Sequence, residues 1–228
     1  ILRFDLSKGD YIPGGGKAET IVERMLKKPA AERLKLLRES THPQAQFLWA
    51  ILRNSLHYVA VHLATIADSA REVDLAMRWG FGMKQGPFEF WQEAGWQQVA
   101  GWIADDIAAG KALSSAPLPA WVTEGPVASS GVHTPEGSWS ASQGKYIPRP
   151  ALPVYARQLF PERLGGEGGK PALESGTEEF KNSDVRVWSP DGEVLVASIT
   201  CKMHLIGPAV GEGLVKALEI AEARYKGL

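Results

Sequence analysis

The sequence holds a single cysteine, Cys201, in 228 residues. That excludes an internal disulfide and any metal site built on several thiolates, and it suits a reducing, cytoplasmic setting with Cys201 as a small buried hydrophobe. Net charge is also nearly absent, since 25 Lys and Arg meet 26 Asp and Glu. No overall field draws such a chain onto nucleic acid or an anionic membrane. Long uninterrupted apolar runs are lacking as well. The nearest one, residues 47–67, is broken by Arg53, Asn54, His57 and His62, which a bilayer core tolerates poorly, so it predicts a buried helix and no membrane span. The chain opens at Ile1 without a Met, a basic stretch or an apolar stretch, so no secretory leader is read and a piece of a longer polypeptide is expected.

Phosphate-binding fingerprints are missing too. Nowhere does a G-x-G-x-x-G follow a strand, so no dinucleotide site is expected within these residues. The run Gly14, Gly15, Gly16, Lys17 fails as a phosphate loop, because Tyr11 stands where that motif needs Gly and Ala18 where it needs Ser or Thr. A flexible loop is the better reading.

What is present is an ordinary globular composition, 44% hydrophobic and 22% charged, at a length that favours two units. Helical spacing dominates residues 17–110. Ile21, Val22, Met25 and Leu26 mark a first short helix, and Leu34, Leu36 and Leu37 a second. Pro43 opens a long helix whose apolar residues, Phe47 through Ile66, cover most of its circumference, as in the centre of a bundle. Ser69 caps a helix that Gly80 is expected to end, Pro87 opens one that Gly95 stops, and Trp96 begins another that Gly110 closes. From Ser114 to about Pro150 Pro, Ser, Gly and Thr prevail without periodicity, which predicts a linker; Trp121, Trp139 and Tyr146 argue that parts of it lie against a surface. A short helix is expected near residues 154–160, before the Gly-rich residues 165–169. Beyond Gly176, residues 184–188 and 193–200 flank the turn Ser189-Pro190-Asp191-Gly192 as a hairpin. Val210, Leu214, Leu218, Ala221 and Tyr225 then share a helical face left without a partner. The expected division is a helical domain at 1–122, a linker at 123–178 and a truncated second domain at 179–228.

No catalytic constellation stands out. His57 and His62 lie about 140° apart around a helix, so they share no metal-binding face, and no metal is expected. Asn54, one turn before His57, reads first as part of a core hydrogen-bond network and only secondarily as a catalytic amide. Glu89 with Glu93 and Asp105 with Asp106 read as solvated faces. His204, between a strand and Gly207-Pro208, reads as a loop residue with a lesser prospect of meeting ligand. The eight tryptophans, without interleaved basic residues, suit core and interface more than base stacking.

The string D-L-A-M-R-W-G-F-G-M-K-Q-G-P-F-E-F-W, Asp74 to Trp91, resembles the C-terminal helical domain of 3-hydroxyacyl-CoA dehydrogenases, where an Asp-x-Ala-Met helix and a G-P-F-E turn recur. Gln46-Phe47-Leu48-Trp49 looks like the second copy of that domain in long bacterial fatty-acid oxidation dehydrogenases. Residues 194–214 are similar to the opening strand and helix of the enoyl-CoA hydratase, or crotonase, family.

The resemblance implies a mainly α fold, a helical bundle of the dehydrogenase C-terminal type with a long linker and a C-terminal β-hairpin plus helix. It implies a fragment of a β-oxidation enzyme that oxidises 3-hydroxyacyl-CoA with NAD and also hydrates trans-2-enoyl-CoA. The NAD loop and the catalytic His-Glu pair would lie on a Rossmann domain of the same polypeptide, the hydratase acid/base groups on the rest of a crotonase domain, and the fragment alone would be inactive. Within the chain the resemblance assigns CoA contact to Leu205, Ile206 and Gly207, although Pro208 replaces the family's Asn. It assigns a packing motif to Gly86, Pro87, Phe88 and Glu89, and Asn54 matches an active-site Asn. The implied partners are acyl-CoA and the missing domains, with self-association left open. The competing reading from the residues is a non-catalytic dimerisation or docking module.

Overall fold

The computed structural model describes residues 2–14, 16–158, 161–169 and 174–228. Gly15 of the glycine run and residues 159–160 of the expected short helix lie outside them. The fold is mainly α and divides into two units, Ile1–Gly168 and Gly169–Leu228.

The first unit begins with an antiparallel hairpin, β1 (Leu2–Asp5) and β2 (Asp10–Pro13), followed by α1 (Thr20–Leu26), α2 (Ala30–Glu39), α3 (Pro43–Ile66), α4 (Ala70–Phe81) and α5 (Pro87–Ala108). Pro43 sits in the first turn of α3, where its missing N–H costs nothing. Ser69 caps α4 in a reciprocal capping box, its hydroxyl meeting the Arg71 N–H at 3.3 Å while its own N–H donates to Glu72 at 2.9 Å. The helix runs past Gly80 and stops at Gly82, which takes the left-handed conformation at φ 66°. Expected as two helices, residues 87–108 form one element broken at Gly95, whose φ of 99° suits only glycine. The break lets the Trp91 indole donate to the Trp96 carbonyl at 2.9 Å, and the two rings stack 4.3 Å apart.

α2 and α3 pack on α5, and α4 packs on α3 and α5. Leu34, Leu37, Leu56, Leu63, Phe88, Trp91, Val99 and Ile103 fill the space between them. Burying one such side chain is worth about 1.5–3 kcal/mol.

The expected linker is the largest departure. It folds as α6 (Ala120–Thr123), α7 (Gly125–Ser130) and a three-stranded antiparallel sheet of β3 (His133–Thr134), β4 (Gly137–Ser140) and β5 (Lys145–Ile147), all within the first unit. An aromatic chain holds it: Trp121 lies 6.1 Å from Trp96 and 6.3 Å from Trp139, which meets Tyr146 edge-on at 5.4 Å. Periodicity misses this segment because its elements are only two to six residues long and contribute single anchoring residues. A further turn, α8 (Pro153–Ala156), precedes the glycine-rich loop.

The second unit is more than a hairpin and a helix. β6 (Thr177–Lys181), β7 (Val185–Ser189) and β8 (Val196–Ile199) form an antiparallel sheet in that order, and α9 (Pro208–Arg224) covers it. Most of the helical face expected to lack a partner packs on the sheet: Val210 and Ala221 are buried with Val185, Val187 and Leu195, Leu214 and Tyr225 are partly buried against them, and Ala217, not expected on that face, is buried too. Leu218, expected on that face, is instead exposed. Gly213 faces β7, where a Cβ would come within 2.7 Å of Val185 Cβ. Cys201 is half-buried, not buried, and its thiol donates to the Leu205 carbonyl at 3.2 Å.

Candidate functional site

The G-P-F-E segment starts α5, and the Asp74 carboxylate serves as its cap from outside the helix. It accepts the Phe88 N–H at 2.9 Å on one oxygen and the Glu89 N–H at 2.8 Å on the other. Those amides would otherwise be unpaired, and a negative charge there also meets the favourable end of the helix dipole. Gly86 is required by contact: a Cβ there would fall 2.3 Å from Asp74 Cα. Phe88 is fully buried, and Glu89 turns back to accept the Gly86 N–H at 3.0 Å.

Asp74 also joins a polar chain. His133 Nε2 meets Asp74 Oδ2 at 2.8 Å, and His133 Nδ1 meets the Ser138 hydroxyl at 2.8 Å. Burial pushes the Asp74 carboxyl up from its ordinary pKa, while His133 and the two α5 amides pull it partly back. An Asp, a His and a Ser in series resemble a nucleophile relay. Here, however, Asp74 is 0% exposed and His133 and Ser138 are 1% exposed, so no substrate reaches the hydroxyl. What the chain can do is fasten the β3–β5 sheet to the start of α5.

Gln92 adds to that fastening, accepting the Val132 and His133 N–H groups at 2.7 and 3.0 Å and donating to the His133 carbonyl at 3.0 Å. Glu89, expected on a solvated face, is buried, receives Arg78 and accepts the Gly165 N–H at 2.8 Å. Arg71 pairs with the buried Glu167, which also accepts the Leu164 N–H at 3.0 Å. These contacts were not legible in sequence. The one available signal was an acidic residue on a helix shortly before G-P-F-E; nothing marked His133 as its partner.

Asn54 lies on α3, where its side-chain oxygen accepts the Leu113 N–H and the Arg53 Nε–H, both at 3.2 Å. His57 Nε2 meets the Ala116 carbonyl at 2.8 Å. Both side chains thus tie down the segment after α5. Leu205 and Ile206 are exposed and Gly207 is half-buried in the loop between a 3-10 turn, Lys202–His204, and α9. Met203 and His204 in that turn have φ values of 63° and 53°, uncommon for side-chain-bearing residues. Asn54 and residues 205–207 fall in different units.

A cavity of about 480 Å³ opens in the first unit, lined by Arg38, Gln46, Trp49, Arg53, Asp106 and Lys111 among others. Asp106, expected on a helix exterior, is buried and accepts the Trp49 indole N–H and Arg53 Nη1, each at 2.8 Å. Burial alone would raise its pKa, but the Arg53 and Trp49 bonds prevail and hold the carboxyl below its ordinary range. Among the described residues no cluster of His, Cys, Asp and Glu could hold a metal, and no helix is long and apolar enough to cross a membrane.

Sequence comparison places one relative beside this geometry. Over 201 residues the chain is 28% identical to a protein of Bacillus subtilis (strain 168) named "Probable 3-hydroxyacyl-CoA dehydrogenase". The match takes in 86% of the chain but only 23% of the relative's length. No family model matches the chain, and no solved structure matches it.

Proposed function

We propose that these residues are a helical, non-catalytic part of a larger 3-hydroxyacyl-CoA dehydrogenase. The observation that carries the reading is the similarity along 86% of the chain to a protein so named, within less than a quarter of that protein's length. Under this reading NAD and the His-Glu pair sit on a Rossmann domain elsewhere in the polypeptide. There the pair would hold the substrate hydroxyl and its proton, bound NAD would supply the hydride acceptor, and the first unit backs the acyl-CoA cleft. The second unit begins a crotonase-like domain, and Leu205, Ile206 and Gly207 lie beside CoA.

The test is made on the protein expressed from its natural start to its natural stop, following NADH with 3-hydroxyacyl-CoA and separately with trans-2-enoyl-CoA. NADH from both substrates supports dehydrogenase and hydratase together, and NADH from the hydroxy substrate alone removes the hydratase part. Without NADH from either, the dehydrogenase reading fails. A docking role is the second reading, favoured by Phe47, Ile51 and Tyr58, which expose 65, 46 and 57% of their surfaces along one side of α3. It predicts self-association by light scattering that Phe47→Ser abolishes.

A further inference from the structure

The geometry points to an oxyanion-binding site in the cavity between α2, α3 and the end of α5, taking a phosphate or carboxylate group through Arg38 and Lys111. The cavity is large enough for a small molecule, and its lining contains three cations, Arg38, Arg53 and Lys111, against two carboxylates, Glu39 and Asp106.

Two of these groups are already committed. Arg53 donates Nη1 to Asp106 at 2.8 Å and Nη2 to the Lys111 carbonyl at 2.6 Å, so its charge is spent on a buried acid and on the C-terminal end of α5. The carbonyls at the end of α2, which would oppose an anion, are covered by the Gln46 amide, reaching Arg38 O at 3.1 Å and also Ser40 O.

Arg38 and Lys111 remain. Arg38 Nη2 donates to the exposed Asp105 at 3.2 Å, and its guanidinium lies 5.4 Å from the centre of the Trp102 ring. Its Nε is buried and, among the described residues, has no hydrogen-bond partner. A buried donor left unmade is unfavourable, and a guanidinium with only Nη2 paired among the described residues keeps further donors for a planar oxyanion that enters beside it. Lys111, exposed at the rim, makes no side-chain ion pair among the described residues and supplies a second positive charge. Glu39, also exposed, opposes a multiply charged ligand, so a singly or doubly charged group fits best.

The experiment is a titration of the whole chain with sodium phosphate and, separately, sodium acetate, at constant ionic strength set by chloride. The Arg38 Nε–H resonance, assigned by its loss in Arg38→Lys, is followed in nitrogen-proton spectra of the parent and of Lys111→Gln, and the indole N–H resonance of Trp49, which also lines the cavity, is followed in all three proteins. The expected result is saturation at roughly millimolar anion, weakened about tenfold by Arg38→Lys and several-fold by Lys111→Gln. Saturation with phosphate alone assigns the site to phosphorylated ligands, and saturation with acetate as well extends it to carboxylates. If neither anion moves either resonance, or if both variants bind as tightly as the parent, the assignment is overturned. The spectra themselves report whether each variant is folded.

Discussion

Replacing Asp74 with Ala tests whether the buried chain to His133 holds the first unit together. The substitution removes one acceptor from three donors, the amides of Phe88 and Glu89 and the His133 ring. Losing a helix cap costs about 1 kcal/mol. A buried donor left unsatisfied costs about 1–3 kcal/mol more, so the expected loss is roughly 2–4 kcal/mol, a large share of the ~5–15 kcal/mol that folds a domain.

Asp74→Asn separates the contributions. Its oxygen can still accept from Phe88, and its amide can donate to a His133 ring of the other tautomer, leaving Glu89 N–H alone without a partner. About 1–3 kcal/mol is then expected. Urea unfolding followed by tryptophan fluorescence measures both. Equal losses for the two variants, or a loss under about 1 kcal/mol for Ala, would show that the contacts do not stabilise the fold as argued. The same pair carries a pH signature. Burial raises the folded-state pKa of Asp74, so its contribution is fully present below the unfolded pKa and declines as pH rises through the folded value. The deficit of Asp74→Asn should therefore widen as the solution is made more acidic.

Three further outcomes are expected. Gly86→Ala should destabilise the first unit by about 2–4 kcal/mol, read as a lower urea midpoint, because its Cβ meets backbone that cannot retreat. Asp106→Asn should cost about 2–3 kcal/mol at neutral pH, from weaker bonds to Arg53 and Trp49. Because the folded pKa of Asp106 is depressed, that difference should shrink as pH falls below about 4. Gly213→Ala should loosen α9 from β7 and cost about 1–3 kcal/mol, seen as faster amide exchange in Val185 and Val187, while leaving the first unit's exchange unchanged.

The sequence by itself determined the helices between residues 20 and 108, because each buries a continuous face and announces its ends through side chains local to it. Pro43, Ser69, Pro87 and Gly95 all mark boundaries or breaks in the structure. Gly82, two residues past the expected stop at Gly80, ends α4 by taking the left-handed conformation at φ 66°. The G-P-F-E segment was legible as a motif. Only the tertiary structure gave its reason, since the Asp74 carboxylate lies fourteen residues from the Phe88 amide it caps.

Tertiary structure alone also decided the segment from Trp121 to Tyr146, where single aromatics dock on a core formed elsewhere and leave no period to read. The same holds for the carboxylates. Glu89, Asp106 and Asp74 look like any helical acid in sequence, and what buries them is a cation, an amide or an imidazole brought from 11 to 59 residues away. A charge enters a core only when its partner arrives with it, and that pairing belongs to the folded chain.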